Sequence, residues 1–374
     1  MSPARQVAKV VAINFALVSM VVGLFVAGPI VLIKAYDAFR IIKPLPPTAT
    51  YHLLPNYRDI EWAAQYSKDQ TQVQTTYVDF TIWEFDALTT ATINIDEQGH
   101  RHTVIPKGAA DDEVWMFGGS TTYGTGVDDA HTIPSLLASR LSVRAVNNGT
   151  DSYIARQNVN RLLREYEVRN SSGHGKRTII FFDGINDIYT KCRVENPTLG
   201  SAYQNTIQSA MEDANRLENA SPMQLLWPAK TLFNKISLRL RSDSAQNPED
   251  LYVCDNDADR ADRVARALVG DWSAAQSIAE ANGDSFVAFL QPFLLLSNTR
   301  ADHLFSRNSP FSEELLEQFN TVYPLIRSRA TADGVQFHDL THVLDHDEFI
   351  YIDLFHVSPN GNEYLAQAMA KVLP

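Results

Sequence analysis

A chain of 374 residues, 45% of them hydrophobic, has material for one large core or for a core with an inserted subdomain. Its net charge of −12 argues against nucleic acid as a partner, since phosphate recognition needs a basic surface. The two cysteines, Cys192 and Cys254, lack a metal-ligand spacing, so no metal is assigned to them.

Residues 1–9 carry Arg5 and Lys9 and are expected on the cytoplasmic side. Val10 to Ile33 then runs without a charged residue, long enough as a helix to cross a hydrocarbon core of about 30 Å. A cleavable signal peptide would be shorter and end at a small-x-small site. Val26-Ala27-Gly28-Pro29 is a poor one, and the apolar run continues past it. Residues 10–33 are therefore expected to form an uncleaved, single-pass signal anchor in an inner or plasma membrane, with the remainder extracytoplasmic (periplasmic in a Gram-negative cell). Lys34, Arg40 and Lys43 flank the far end, so the charge rule supports this orientation only in part. Leu45-Pro46-Pro47-Thr48 reads as a stiff linker, and residues 34–110 as linker plus membrane-proximal extension. Within that extension Thr76 to Trp83 alternates like one half-buried strand.

From residue 111 to 374 strand-like and helix-like segments alternate. Strands are expected at 114–118, 143–147, 177–183, 285–291 and 335–340, and helices at 132–141, 155–168, 257–282, 312–329 and 359–372. Such alternation implies right-handed crossovers and a parallel sheet with helices on both faces. The interval from about 190 to 255 breaks the rhythm and reads as a helical cap over the cleft; Trp227 and Arg239 are placed to contact a substrate there, but a Trp at helical spacing among Leu and Phe is more often core, and neither is assigned to the site. Beyond a membrane Cys192 and Cys254 are expected to oxidise to a bridge. It would close a loop of about sixty residues, for about 4 kcal/mol in the chain-entropy model.

Two distant patterns make chemical sense only together. Val114-Trp115-Met116-Phe117-Gly118-Gly119-Ser120 is an apolar strand running into a Gly-flanked serine, and Asp353-Leu354-Phe355-His356 precedes the last helix. A serine hydroxyl becomes a competent nucleophile when an imidazole takes its proton and a carboxylate holds that imidazole in the right tautomer. Between them lie two further strand tips, Arg144-Ala145-Val146-Asn147-Asn148-Gly149 and Thr178 to Asp187, the latter presenting Asn186. The amides of Ser120 and Gly149 and the carboxamide of Asn186 would make an oxyanion hole, each donor worth about 10²–10³ in rate.

In order and context Ser120, Gly149, Asn186 and His356, with Asp353 three residues before the histidine, resemble the four signature blocks of the SGNH (GDSL-type) hydrolases. The resemblance covers about residues 90 to 372. It includes Thr92-Ile93-Asn94-Ile95-Asp96-Glu97-Gln98-Gly99-His100-Arg101, which resembles a lead-in of bacterial membrane-anchored members. One departure is Gly119, where the name-giving motif has aspartate. The resemblance implies a flavodoxin-like three-layer α/β/α sandwich and a Ser-His-Asp mechanism without cofactor.

His338, His342 and His346 recur every four residues among Asp339, Asp345 and Asp347, a spacing that would stack imidazoles on a helix. Val335 to Leu340 reads as the last strand, however, so helical spacing does not apply and no metal is assigned. The implied activity is removal of an O-acyl group, acetyl foremost, from a glycan or related ester. Two alternatives share the residues: an O-acyltransferase that modifies an exported polysaccharide, working with a multi-span acyltransferase or polysaccharide-assembly partner, and a catalytically silent envelope scaffold.

Overall fold

The computed structural model describes residues 51–168, 175–204, 251–304 and 310–373, with a few scattered positions elsewhere. Ala49–Gln204 and Asp250–Pro374 form one compact unit. Most of the expected membrane span at 10–33 and most of the expected cap at 190–255, with Trp227 and Arg239, lie outside the described residues. Among the described residues no helix is long and apolar enough to cross a membrane.

In chain order the unit contains α1 (Ala63–Asp69), an antiparallel hairpin of β1 (Thr75–Val78) and β2 (Ile82–Phe85), and a short pair, β3 (Leu88–Thr89) and β4 (Asn94–Ile95). There follow β5 (Glu113–Gly118), α2 (Ser120–Tyr123), α3 (Ile133–Leu141), β6 (Arg144–Gly149), α4 (Ala155–Val168), β7 (Arg177–Asp183) and α5 (Ile185–Lys191). The chain closes with α6 (Ala258–Ala281), β8 (Ser285–Leu290), α7 (Pro310–Ala332), β9 (Phe337–Asp339) and α8 (Pro359–Ala370).

Strands β6-β5-β7-β8-β9 pair in that order, every pair parallel. The chain thus winds outward in both directions from β5, and the strand order reverses at its C-terminal tip. This is where an open α/β sheet leaves a crevice for ligands. Side-chain alternation explains the three layers. Trp115, Phe117, Ile179 and Phe181 pack beneath α4, α6 and α7, while Val114, Met116, Ile180 and Phe182 pack against α3 and α8. Buried on both faces, β7 carries the continuous apolar run Ile179-Ile180-Phe181-Phe182. Helix starts follow local chemistry: Thr132 accepts from Ser135 N–H to cap α3, and Asp257 accepts from Arg260 N–H to cap α6.

Two expectations are corrected. Thr76 to Trp83 is not one strand. The chain reverses at Asp79-Phe80-Thr81, with positive φ at Phe80 (67°) and Ile82 (77°), so Tyr77 pairs with Trp83. No glycine or asparagine announces that turn, and the period-two pattern reads through it. The last strand is three residues long, because Asp339 Oδ1 accepts Thr341 N–H at 2.9 Å and turns the chain away. The histidine repeat accordingly disperses: His338 stacks on Phe289, His342 meets Asp345 at 3.0 Å, and His346 stacks on Tyr364.

The N-terminal extension is tied to the sheet domain through buried charge. Arg161 of α4 pairs with Glu84 at 2.7 Å and with Glu165 at 3.1 Å, and His100 Nε2 meets Glu165 at 2.7 Å. Trp83 Nε1 donates to Asp151 O at 3.0 Å, which brings this extension to the loop after β6.

Candidate active site

The turn that carries Ser120 is shaped by space. A Cβ on Gly118 would lie 2.2 Å from Thr122 Oγ1 and 2.7 Å from Phe182 O, and one on Gly119 would lie 2.3 Å from Asn186 Nδ2. Two bare residues therefore let α2 start directly at the tip of β5, with Ser120 as its first residue and its amide outside the helical ladder. Gly124, at φ 94°, ends the helix after one turn by donating its N–H to Ser120 O at 2.9 Å.

Arg101 holds the far side of that turn. It is 1% exposed. Its Nη1 donates to Tyr123 O (3.1 Å) and Gly124 O (2.7 Å), its Nη2 to Val127 O (2.6 Å) and Thr92 O (3.3 Å), and its Nε to Asp129 Oδ1 (3.0 Å).

The second half of the site is a tight turn before α8. Asp353 Oδ1 accepts the N–H groups of Phe355 and His356, both at 2.8 Å, while Ile352 N–H donates to His356 O at 2.9 Å. This leaves Asp353 Oδ2 for His356 Nδ1 at 2.7 Å, and presents His356 Nε2 to Ser120 Oγ at 2.6 Å. Nδ1 thus carries the proton toward the carboxylate, and unprotonated Nε2 accepts from the serine hydroxyl. Burial pulls the His356 pKa down, but the charge and hydrogen bond of Asp353, with the charge of Asp151, more than offset it and hold the group above its ordinary value. Burial raises the Asp353 carboxyl, and His356 together with the two backbone N–H donors lowers it further, to a net position below the ordinary carboxylate range.

Asn186 follows Gly184, whose φ of 130° admits no ordinary side chain, and sits in the first turn of α5. Its Nδ2 donates one proton to Tyr153 O at 2.9 Å and lies against Gly119, beside the serine. The neighbouring acids of the block are structural. Asp187 Oδ2 accepts Ala155 N–H at 3.1 Å and its Oδ1 pairs with Lys191 at 2.5 Å. Asp183 accepts from Asn158 Nδ2 at 2.7 Å and from Trp272 Nε1 at 3.1 Å, and burial with the nearby charge of Asp187 pushes its carboxyl well up.

The structure brings Ser120, Asp353, His356 and Asn186 together. Gly149 ends β6 beside the Ser120 turn, and its N–H donates to Asn147 Oδ1 at 3.0 Å. A Cβ there would stand 2.1 Å from Tyr123 N, so a bare residue at this position lets α2 rest on β6. Three residues on, Ser152 sits in the left-handed region at φ 61°, and its amide donates to nothing among the described residues. Neither it nor Arg101 was singled out by sequence pattern. A serine held where glycine is favoured leaves no trace in residue type, and Arg101 was visible only as the last residue of the lead-in. Cys192 and Cys254 are joined, with Cα atoms 5.3 Å apart, within the core beneath α5 and α6.

No protein-family model matches the chain, and no curated protein does. Among solved structures the fold is similar to a member of the lipolytic protein G-D-S-L family from Veillonella parvula, at 12% identity over 70% of this chain and 98% of that one, with a TM-score of 0.40. It is also similar to an acetyl xylan esterase (12% identity, 70% and 100% covered, TM-score 0.37) and to a carbohydrate acetylesterase from Sinorhizobium meliloti (13%, 70% and 97%, 0.35). By its own sheet order, and by the position of Ser120, Gly149, Asn186 and His356 at the strand tips and before α8, the described unit has an SGNH-hydrolase-like fold.

Proposed function

We propose that the chain is a serine ester hydrolase that removes O-acyl groups, acetyl foremost, from a glycan ester. The observation that carries this reading is the hydrogen-bonded line from Ser120 Oγ through His356 to Asp353, at 2.6 and 2.7 Å. Ser120 Oγ attacks the ester carbonyl carbon as its proton passes to His356 Nε2, and the electron pair of the carbonyl moves onto oxygen. The Ser120 amide and the second Nδ2 proton of Asn186 hold that oxyanion. Its collapse breaks the bond to the alkoxy group, which takes the proton from His356 and leaves as the alcohol. Water then attacks the acyl-serine with His356 again as base, releasing the carboxylic acid and regenerating the serine. Asp353 stays ionised throughout and stabilises the imidazolium.

The glycan as substrate class is carried over from the sequence resemblance. The apolar run Val10 to Ile33 supports a membrane tether, and the Cys192–Cys254 bridge supports an oxidising, extracytoplasmic compartment.

The test is covalent labelling of the purified chain with a fluorophosphonate, located by peptide mass spectrometry, beside hydrolysis of aryl acetates and acetylated oligosaccharides. The label is expected on Ser120, and Ser120→Ala is expected to lose both label and about a thousandfold or more of turnover. Undiminished hydrolysis by Ser120→Ala would refute the assignment. Release of the acyl group onto a sugar hydroxyl instead of water would reassign the second step to transfer.

A further inference from the structure

We propose that Gln291 is a positioning residue that locks the Ser120 turn to the Asn186 turn, an inference that rests on the hydrolase reading above. Gln291 directly follows β8 and is 3% exposed. Its Nε2 donates to Thr121 Oγ1 at 2.6 Å, and its Oε1 accepts Ile185 N–H at 3.0 Å. Thr121 is the residue after the nucleophile, and Ile185 is the residue before the carboxamide donor. One side chain therefore spans from the tip of β8 to the turns that follow β5 and β7.

Its own backbone is fixed first. Gln291 N–H donates to Asp183 O at 3.0 Å, and Gln291 O accepts from Tyr323 Oη at 2.8 Å, with Tyr323 buried on α7. The carboxamide is thus held from both sides before it reaches out, and its planar geometry sets one separation between the two turns. An amide is the residue type this place calls for, because Ile185 N–H needs an acceptor and Thr121 Oγ1 receives a donor from the same buried group. A leucine of similar size would fill the volume and leave Ile185 N–H without that partner.

What the bridge fixes is the distance between the attacking oxygen and the donor for the developing oxyanion. Oxyanion stabilisation depends on donors lying within about 2.7–3.1 Å of where charge appears. A shift of about 1 Å between the two turns is enough to cost about a hundredfold in rate. The effect is therefore expected on kcat, with KM little changed.

The experiment is a double-mutant cycle on the purified full-length chain, with aryl acetate as substrate and thermal melts run in parallel. Gln291→Leu is expected to lower kcat by about ten- to a hundredfold with KM changed by less than about twofold. In an Asn186→Ala background the same substitution is expected to cost less than about threefold more, because the donor it positions is already gone. Thr121→Val removes one end of the bridge at a half-exposed position and is expected to reproduce part of the kcat loss, again without adding to Gln291→Leu. Equal fold losses in the wild-type and Asn186→Ala backgrounds would overturn the proposal. So would Gln291→Leu and Thr121→Val proteins that melt lower yet keep full kcat per folded molecule. If Gln291→Leu does not fold, Thr121→Val against Asn186→Ala decides by the same criterion. A wild-type chain that hydrolyses no ester and takes no fluorophosphonate fails the hydrolase reading itself, and this inference with it.

Discussion

A Cβ on Gly119 would stand 2.3 Å from Asn186 Nδ2, so the residue before the nucleophile is bare because a carboxamide from the neighbouring strand tip occupies its place. This accounts for glycine where the name-giving motif has aspartate, since in this chain a side chain at 119 and Asn186 in its observed position exclude each other. Gly119→Ala is therefore expected to push Asn186 aside and to lower kcat by about a hundredfold, close to the effect of Asn186→Ala itself, with KM little changed. The double variant should be no worse than either single one. Steady-state kinetics check this, and independent, multiplying losses would show that Gly119 acts by another route.

The acid limb of the proposed activity is expected to report His356. The imidazole must be neutral to accept the serine proton, and its pKa is held above the ordinary 6.5 because Asp353 and Asp151 outweigh burial. The midpoint of the fall in kcat/KM toward acid is therefore expected above 6.5. Stability runs the other way. A group with a raised folded-state pKa contributes stability that is fully present below its unfolded pKa and is lost as pH rises through the folded one. Activity and the His356 contribution to the melting temperature should thus move in opposite directions across this window. Asp151 is exposed, and the Trp83 contact is to its backbone carbonyl, so Asp151→Asn removes charge with little else. It should move the kinetic midpoint down, and an unmoved midpoint would remove Asp151 from the electrostatics of the site.

Which parts of this site were legible in sequence follows from how each residue is specified. Ser120, Asp353 and His356 are specified by covalent neighbours: an apolar strand ending in glycines, and an Asx turn in which Asp353 Oδ1 binds two amides only two and three residues on. Local specification is readable. Gly149 was legible as a glycine at a strand tip, but the close approach of Tyr123 N that requires a bare residue there comes from across space, not from the chain beside it. The hairpin at Asp79-Phe80-Thr81 was invisible because its positive φ values fall on phenylalanine and isoleucine, which carry no turn signal. Gln291 stood in plain view as a polar residue ending the apolar strand Phe286-Val287-Ala288-Phe289-Leu290, the same cue that led to Asn186. What the sequence lacked was the partner: Thr121 lies 170 positions away.

The Cys192–Cys254 bridge closes a segment with a sequence separation of 62. Both cysteines are buried in the core that also holds Tyr252, Ile188 and Ala261, and the bond joins the end of α5, which begins with the Asn186 turn, to the chain entering α6. Replacing both cysteines by alanine is expected to cost about 4 kcal/mol through the freed loop entropy of the unfolded chain. Urea titration measures this directly. Peptide mapping without reductant should show the linked pair in protein from an oxidising compartment, and two alkylated thiols there would contradict the bridge.

Arg101 is expected to be the most costly single substitution outside the reacting groups. Its guanidinium is buried, satisfied by four carbonyls and one carboxylate, and the carbonyls of Tyr123, Gly124 and Val127 belong to the segment that ends the nucleophile helix. Arg101→Met would leave Asp129 without its charged partner and Val127 O without its Nη2 donor, while Tyr123 O and Gly124 O would keep Asn147 Nδ2 and Val127 N–H. Breaking a buried pair from one side costs about 3–5 kcal/mol. Arg101→Lys keeps the charge but offers three donors from a single point where five are used from a planar fork, so it should recover only part of the loss. Denaturant midpoints order the variants wild type, Lys, Met. Kinetics separate packing from positioning: if the guanidinium also sets the Ser120 turn, fluorophosphonate labelling of the folded fraction of Arg101→Lys should be slower than wild type. Wild-type labelling with lowered stability would confine Arg101 to holding the fold.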